Sequence, residues 1–284
     1  MSRNTYTVTT MPKLLIKYNE DAEPTHDEYF DENDIGFRTK NSEYMKNMFT
    51  FFSTIVTEMN VSITPDGINI CAMDMGHISL INSFIPKNLF STYQCDRNYV
   101  VGINLNIMVR ILNHLKIDDE LIFIFGKDDT ISDGIELIFV NQKYDKFYEF
   151  KLINIDNEEY DVHEFDDTAK ISMSSRYFND IIKDFQDIGE NLRIKILKDK
   201  EKISLKTDGE MTSLKMVLNN DELEFENLKD ICLDFNLKNI SMFSKGYMLH
   251  NTIKIEIDND VPVKMRYKIG DGYIDYYLAP KMED

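Results

Sequence analysis

The sequence predicts an α+β fold built from two similar halves, and three observations support this prediction. Four segments place apolar residues at the 3.6-residue period of an amphipathic helix. Between them, several segments alternate apolar and polar residues, as antiparallel strands with one buried face do. The predicted helices begin near residues 42, 104, 174 and 236, so the second pair repeats the first after 132 residues. This spacing is typical of an internal duplication, with one continuous irregular domain as the alternative on spacing alone.

Each predicted helix carries one apolar stripe, which would pack against a sheet. The four stripes are Met45, Met48, Phe49, Phe52, Val56 and Met59; Leu105, Met108, Ile111, Leu112 and Leu115; Phe178, Ile181, Ile182, Phe185 and Ile188; and Leu237, Ile240 and Phe243. The dipeptides Asn104-Leu105 and Asn236-Leu237 occupy the same register of the repeat. The two halves therefore share local sequence as well as spacing.

The predicted strands are short and separated by turn residues. Alternation is clearest at residues 192–197, 202–206, 253–257 and 263–269, and the apolar runs at 121–125 and 135–140 fit buried strands. Turns are predicted at Pro65-Asp66-Gly67, Asp133-Gly134, Asp208-Gly209 and Gly270-Asp271-Gly272. These sheets should have one dry face and one wet face.

Two acidic segments divide the chain. Residues 19–34 hold eight acids and no Lys or Arg, which predicts a solvated, mobile extension, although a short strand near residues 14–16 stays open. Residues 156–167 hold seven acids and neither period, as expected of a connector. The predicted units are an acidic extension at 1–35, a first domain at 36–155, a connector at 156–167 and a second domain at 168–284.

The composition is that of a globular protein with a strong acidic surplus. Against 32 Lys and Arg stand 50 Asp and Glu, a formal charge of −18, which argues against a nucleic-acid binder that works by bulk charge. The three cysteines have no paired spacing, which argues for a reducing compartment. No signal-peptide pattern occurs, and the apolar runs are too short to span a bilayer, so we expect an intracellular protein without membrane contact.

The residues that usually carry catalysis or hold cofactors do not form a recognisable site. The five histidines lack a partner at metal-ligand spacing and fit no Ser-His-Asp order. No phosphate-cradling glycine loop occurs among the 11 glycines. The acidic pairs at 118–119 and 128–129 are better explained as solvated loop charge than as metal sites. We therefore predict no catalytic residue, no metal and no cofactor.

The positive charges of the predicted helices fall on the faces opposite the apolar stripes. These faces carry Lys46, Arg110, Arg176, Lys183, Lys238 and Lys245 against Asp180 and Asp187. Their sum is +4, or +2 when Glu43 and Glu58 at the ends of the first helix are counted. Any solvated helix can carry Lys and Arg, but the sign opposes that of the whole chain. The pattern is also that of one surface making weak, sequence-blind contacts with phosphate.

Three blocks of sequence resemble a known family. They are ITPDGINICAMDMGHISL at residues 63–80, YQCDRN at 93–98 and YYLAPKMED at 276–284. They resemble the eukaryotic-type DNA sliding clamps, the proliferating cell nuclear antigen family, and the resemblance runs in order from about residue 36 to the end. It implies a duplicated two-domain clamp fold whose subunits form a homotrimeric ring, with helices lining the bore and antiparallel sheets outside.

The resemblance also implies partners and site residues. The ring would encircle duplex DNA without sequence preference, engage a clamp loader, and tether DNA polymerase and other replication and repair proteins. Its bore residues would be Lys46, Arg110, Lys183, Lys238 and Lys245. Its joining edges would be the strands near residues 144–151 and 211–217. The pocket for a clamp-binding peptide would comprise Met73, His77, Ile78, Leu80, Tyr160, Val162, Pro262, Tyr277, Leu278, Ala279 and Pro280.

The sequence departs from the family at several of these places. Ser53 and Asn113 stand where family lysines are expected, and Tyr160 and residues 161–163 replace the usual connector residues. Lys198 falls where the clamps carry a modified lysine, and its modification stays open. Two alternatives also stay open, a checkpoint-type subunit of a heteromeric ring and an acidic scaffold without a DNA role. The resemblance implies the nucleus, or a viral replication compartment if a virus encodes the chain.

Overall fold

The computed structural model describes residues 29–127, 130–156, 160, 162, 165–198, 202–218, 223–259 and 261–281. Within these residues the α-helices are α1 (Ser42–Ser53), α2 (Leu105–Leu112), α3 (Ser175–Gln186) and α4 (Leu237–Ser244), the last followed by a 3-10 turn at Lys245–Met248. Asn104 caps α2 by accepting from the Ile107 N–H, and Asn236 caps α4 by accepting from the Lys238 N–H. The duplicated asparagines therefore do the same work in each half.

The strands of the first half are short, and all pair antiparallel. They are β1 (Asp34–Thr39), β2 (Glu58–Thr64), β3 (Gly67–Met73), β4 (Ser79–Pro86), β5 (Thr92–Gln94), β6 (Tyr99–Asn104), β7 (Glu120–Lys127), β8 (Thr130–Asn141) and β9 (Tyr144–Lys151). The strands of the second half are β10 (Ala169–Ser174), β11 (Asn191–Leu197), β12 (Lys202–Asp208), β13 (Ser213–Leu218), β14 (Glu224–Glu226), β15 (Ile231–Asn236), β16 (Thr252–Ile257), β17 (Val263–Ile269) and β18 (Gly272–Leu278).

The strands form three sheets. A sheet in the order β5-β1-β7-β8-β9 belongs to the first half, and one in the order β13-β12-β11-β15 to the second. The third, in the order β14-β10-β16-β17-β18-β4-β3-β2-β6, runs through both halves. Its junction is the antiparallel pair β4–β18, in which Leu80 lies opposite Tyr277. The two halves are therefore joined by backbone hydrogen bonds.

The helices pack in pairs over the core. α1 packs on α2 and α3 on α4, and the halves meet where the ring of Phe51 on α1 contacts that of Phe243 on α4, with centroids 5.4 Å apart. The turn after α4 lies close to the sheet because Gly246 faces the ring of Tyr267, where an added Cβ would come within 2.1 Å of a ring carbon. One continuous apolar core links the helices to the sheets.

Several predicted boundaries differ from the structure. Val56 and Met59 follow the end of α1, yet both stay buried, because the chain turns directly into β2 beneath the helix. Leu115 likewise follows α2, and Ile188 follows α3. The predicted turn at Asp133-Gly134 is wrong, since both residues lie inside β8 and Gly134 pairs with Lys151. The predicted strand near residues 14–16 lies outside the described residues.

The prediction that residues 19–34 are solvated is wrong at the C-terminal end of that segment. Phe30 is only 9 % exposed and packs with Ile122, Ile138 and Val140, on the face of the first sheet that points away from the helices. Asp34 already begins β1. Burial of two aromatic side chains offsets the cost of ordering this acidic stretch.

Candidate functional site

The predicted DNA-facing bases lie on or beside the four helices. Arg110, Lys183, Lys238 and Lys245 are exposed, whereas Lys46 is half-buried. Lys238 begins α4 and Lys245 follows its end, so both project from one short element. Within the described residues, Lys183 has an ion pair to a helix neighbour, Asp180, with its Nζ 3.6 Å from Oδ1.

The face of α3 is less positive than the sequence count indicates. Asp184, which that count omits, is exposed one turn after Asp180. Including it lowers the total for the four faces by one, to between +1 and +3 per chain. The cations of α3 are also partly engaged, because Arg176 and Lys183 lie 5.2 and 5.8 Å from the centroid of the Tyr247 ring. The helical face still opposes the sign of the chain.

A pocket lies where the two halves join. Its volume is about 230 Å³, and its lining comes from the end of β3, the following loop, β4, the connector, residue 262 and the end of β18. The lining residues are Met73, His77, Ile78, Ser79, Leu80, Val162, Phe165, Pro262, Tyr277 and Ala279. Eight of the eleven predicted residues are in this set.

Three predicted pocket residues lie outside the lining. Leu278 is buried beneath it, because alternate residues of β18 point to opposite faces. Tyr160 and Pro280 are half-buried beside it. The prediction missed Ser79 and Phe165. Phe165 could have been found as a lone aromatic residue in an otherwise acidic connector.

Asp74 holds the loop that carries the exposed apolar side chain of the pocket. Its Oδ1 accepts from the backbone N–H groups of Ile78 at 3.0 Å and Ser79 at 2.6 Å, and its Oδ2 accepts from Gly76 at 3.2 Å. His77 completes the turn with a φ of 52°, in the left-handed region. Ile78 is thereby presented to solvent with 46 % exposure, which is unusual for an ordered aliphatic side chain.

The floor and wall of the pocket are aromatic. The ring of Phe165 packs edge-to-face on Tyr277 with centroids 6.1 Å apart. The Ala279 N–H donates to the carbonyl of Ile78 at 3.0 Å, which fastens the chain after β18 to the loop. Aromatic and aliphatic walls with a few backbone polar groups suit a short helical turn with apolar side chains. The arrangement can bind a peptide.

The end of the connector is fixed by an ionic cluster. The Nζ of Lys229 lies 3.1 Å from Oδ2 of Asp167 and 2.6 Å from Oδ2 of Asp258. Hydrogen bonds from Asn227 and then Lys229 hold the pKa of Asp167 below its usual value, and the bond from Lys229 does the same for Asp258. The connector is thus anchored two residues after Phe165.

Other features of the described residues do not suggest chemistry. No group of three or more His, Cys, Asp or Glu side chains among them could hold a metal ion. An enclosed void of about 30 Å³ lies in the core of the second half, but its lining is wholly apolar, so it is a packing gap. No helix in the described part of the chain is long and apolar enough to cross a bilayer.

Two strand edges are open. In the described chain, β9 pairs only with β8 and β13 only with β12. Large apolar side chains are exposed at or beside both edges, namely Tyr144, Phe147, Met211 and Val217. An unpaired edge with exposed apolar groups is a place where another chain adds a strand.

Comparison with known proteins gives one consistent result. The family model described as the proliferating cell nuclear antigen N-terminal domain matches residues 35–160, and the C-terminal domain model matches residues 159–282. The proliferating cell nuclear antigen of Chaetomium thermophilum is 31 % identical over 257 residues, covering 87 % of this chain and 98 % of that protein. That of Dictyostelium discoideum is 31 % identical over 256 residues, with the same coverage.

Solved structures agree with the sequence comparisons. The crystal structure of the Entamoeba histolytica protein of the same name superimposes with a TM-score of 0.81 at 28 % identity, covering 88 % of this chain and all of that one. Both domain models, relatives along most of the chain and a matching fold point the same way. The chain therefore belongs to the proliferating cell nuclear antigen family of DNA sliding clamps.

Proposed function

We propose that three copies of this chain close into a ring around duplex DNA, with the α1–α4 face toward the DNA and β9 of each copy paired with β13 of the next. Members of this family are non-enzymatic clamps that bind DNA, polymerases, other clamp-binding proteins and the clamp loader, and that assemble as trimers. The chain is accordingly a processivity factor and not an enzyme.

The observation that carries the arrangement is the separation of charge and edges. The helical face is positive in a chain of charge −18, and the open edges β9 and β13 lie at the ends of two different sheets. Edge pairing is heterologous, so it generates a ring when the rotation closes. A ring holds DNA by topology, and a weakly positive bore keeps salt-sensitive affinity low enough for sliding.

Within this function, the DNA-contacting residues are Lys46, Arg110, Lys183, Lys238 and Lys245. The peptide site is the pocket around Ile78 and Tyr277, with Phe165 as an added wall. The division of the chain at residues 156–167 places the connector across this pocket. The nucleus is the compartment in which such a clamp meets replicating DNA, and a viral replication compartment is the alternative.

The test is whether the protein is retained topologically. Sedimentation should give a mass of about three times 33.4 kDa, and a clamp loaded on a closed circular duplex should stay bound until the circle is cut by a restriction enzyme. Loss on linearisation identifies sliding, because the protein has no other means of escape. A stable monomer, or equal retention on circular and linear DNA, would contradict the proposal. Assembly only with other clamp subunits would favour the heteromeric alternative.

A further inference from the structure

The chain before β1 follows a definite path across the outer face of the first sheet. Phe30 covers residues of β7 and β8. Tyr29 lies one strand further out, with its ring 5.3 Å from that of Phe147 on β9 and its hydroxyl donating to Asp145 Oδ2 at 2.8 Å. Read toward the N-terminus, the chain therefore moves outward from the middle of the sheet and reaches its open edge at Tyr29.

The residues that precede Tyr29 are acidic, and the face they leave is acidic too. Residues 18–28 contain Glu20, Asp21, Glu23, Asp27 and Glu28, with no Lys or Arg. Around Tyr29, the outward side chains of β8 and β9 include Glu136 and Glu149, which lie directly opposite each other. Burial, and then the nearby carboxylates of Asp34 and Glu149, raise the pKa of Glu136. The sheet of the same subunit thus offers the acidic segment no counter-charge.

The outer face of the other end sheet has the opposite sign. The outward side chains of β11, β12 and β13 include Arg193, Lys195, Lys202, Lys206 and Lys215. Lys206 lies directly opposite both Arg193 and Lys215, and like charges in such positions repel one another. Arg193 has an ion pair with Asp234 and Lys206 has one with Asp208. Among the described residues, Lys195, Lys202 and Lys215 have no ion pair.

Ring closure would bring the two faces together. When β9 of one subunit pairs with β13 of the next, both sheets keep their helical sides inward, so their outer faces become continuous. Neighbouring strands are about 4.8 Å apart, so β13, β12 and β11 of the neighbour lie within about 15 Å of β9. An extended chain covers that distance in about five residues. Measured from Tyr29, the acids at 28, 27 and 23 fall over these three strands.

We infer that the acidic segment at residues 20–28 binds the basic outer face of β11, β12 and β13 on the neighbouring subunit and straps the ring across each joint. The inference rests on the proposed trimer and adds to it a contact outside the edge pairing. The strap is ionic and exposed, so it acts most strongly at low salt. Its direction is from the first half of one chain to the second half of the next.

Subunit exchange between differently labelled trimers tests the strap in the full chain. A variant with Glu20→Gln, Asp21→Asn, Glu23→Gln, Asp27→Asn and Glu28→Gln should exchange about tenfold faster than the unchanged protein near 0.05 M salt. The two rates should converge near 0.5 M salt, where the Debye length is only about 4 Å. Lys202→Glu with Lys215→Glu should accelerate exchange as much, and combining both sets should add little, since either removes the same contact. Lys87→Glu with Lys268→Glu, which changes charge equally on another surface, is the matched control.

A zero-length carbodiimide cross-link between carboxylates and lysines gives a second readout. In trimers mixed from isotopically light and heavy chains, acids of residues 20–28 should join Lys202 or Lys215 of the other isotope. Cross-links within one chain only, or additive effects of the two variant sets, would overturn the strap and leave the trimer standing. A change in DNA binding without a change in exchange would assign the basic face to DNA instead. Failure of the unchanged protein to form any trimer would contradict the proposed function itself.

Discussion

The Nζ of Lys264 lies 3.7 Å from the Oδ2 of Asp275, and the two side chains are 0 % and 1 % exposed. They occupy adjacent strands directly beneath the peptide pocket, where the ammonium of Lys264 also lies 5.8 Å from the centroid of the Tyr277 ring. The guanidinium of Arg266 reaches the same carboxylate with two hydrogen bonds. Asp275 is therefore the shared anion of a buried cluster.

The two members of this pair should differ in their importance for stability. Asp275→Asn leaves the buried Lys264 without its anion, and removal of one partner of a buried pair costs about 3–5 kcal/mol in the free energy of unfolding. Lys264→Met leaves Asp275 paired with Arg266, so the cost should be about 1 kcal/mol or less. Urea unfolding of both variants measures the difference. Equal costs would show that Asp275 is not the shared anion.

Phe165 should contribute to peptide binding although it lies outside the sequence blocks that resemble the family. Phe165→Ala removes the edge-to-face wall of Tyr277, and such aromatic contacts with their buried area account for about 1–2 kcal/mol, or roughly a tenfold weaker Kd. Calorimetry with a polymerase C-terminal peptide of the clamp-binding pattern measures it. Ile78→Ala and Tyr277→Ala should weaken binding further.

Met75→Ala is the matched control for the pocket, because Met75 is 93 % exposed on the same loop and outside the lining. An equal loss of affinity in this variant would mean that the peptide binds the loop and not the pocket.

The cations of α4 should set the salt dependence of DNA contact. Lys238→Glu with Lys245→Glu should lower the affinity for short linear duplex DNA and reduce the slope of log K against log salt by up to about 2, since each phosphate contact contributes about 0.9. Fluorescence anisotropy at several salt concentrations gives the slope. Lys87→Glu with Lys268→Glu carries the same charge change away from the helices and should leave the slope unaltered. An identical decrease in both variants would indicate a general charge effect.

The Lys229 cluster should make the anchoring of the connector depend on pH. Lys229 lowers the pKa of Asp167 and Asp258 in the folded state, so its stabilisation is present above about pH 4 and is lost as pH falls through the lowered pKa values. Lys229→Met should lower Tm by about 2 °C at pH 7, and the deficit should shrink below pH 4. A deficit that stays constant down to pH 3 would assign the effect to packing. Calorimetric scans at both pH values decide between these outcomes.

The sequence predicts the repeated parts of this fold well and its irregular parts poorly. Asn104 and Asn236 mark two helix starts because a side-chain cap is a local signal, readable at one position. Asp133-Gly134 was misleading, because strand pairing with β9 overrides the turn preference of the dipeptide. The local pattern cannot tell whether a distant strand is available.

Residues close in space but distant in sequence were harder to predict. The pocket brings residues 73–80 together with 277–279 through the β4–β18 pair, and only a family resemblance, not periodicity, indicated this. Phe30 reads as part of an acidic run, and its partners Ile122 and Ile138 lie about a hundred residues away. Packing of this kind depends on the third dimension, which single-sequence patterns do not contain.

The pairing of β4 with β18 has a mechanical consequence. Six residue pairs along this junction are held by the backbone ladder, so each chain behaves as one stiff arc and its two halves cannot swing apart. Compliance in a closed assembly is then confined to the contacts between chains. A loader that opens such an assembly has only one joint to part, while the remaining two act as hinges and the arcs themselves keep their curvature.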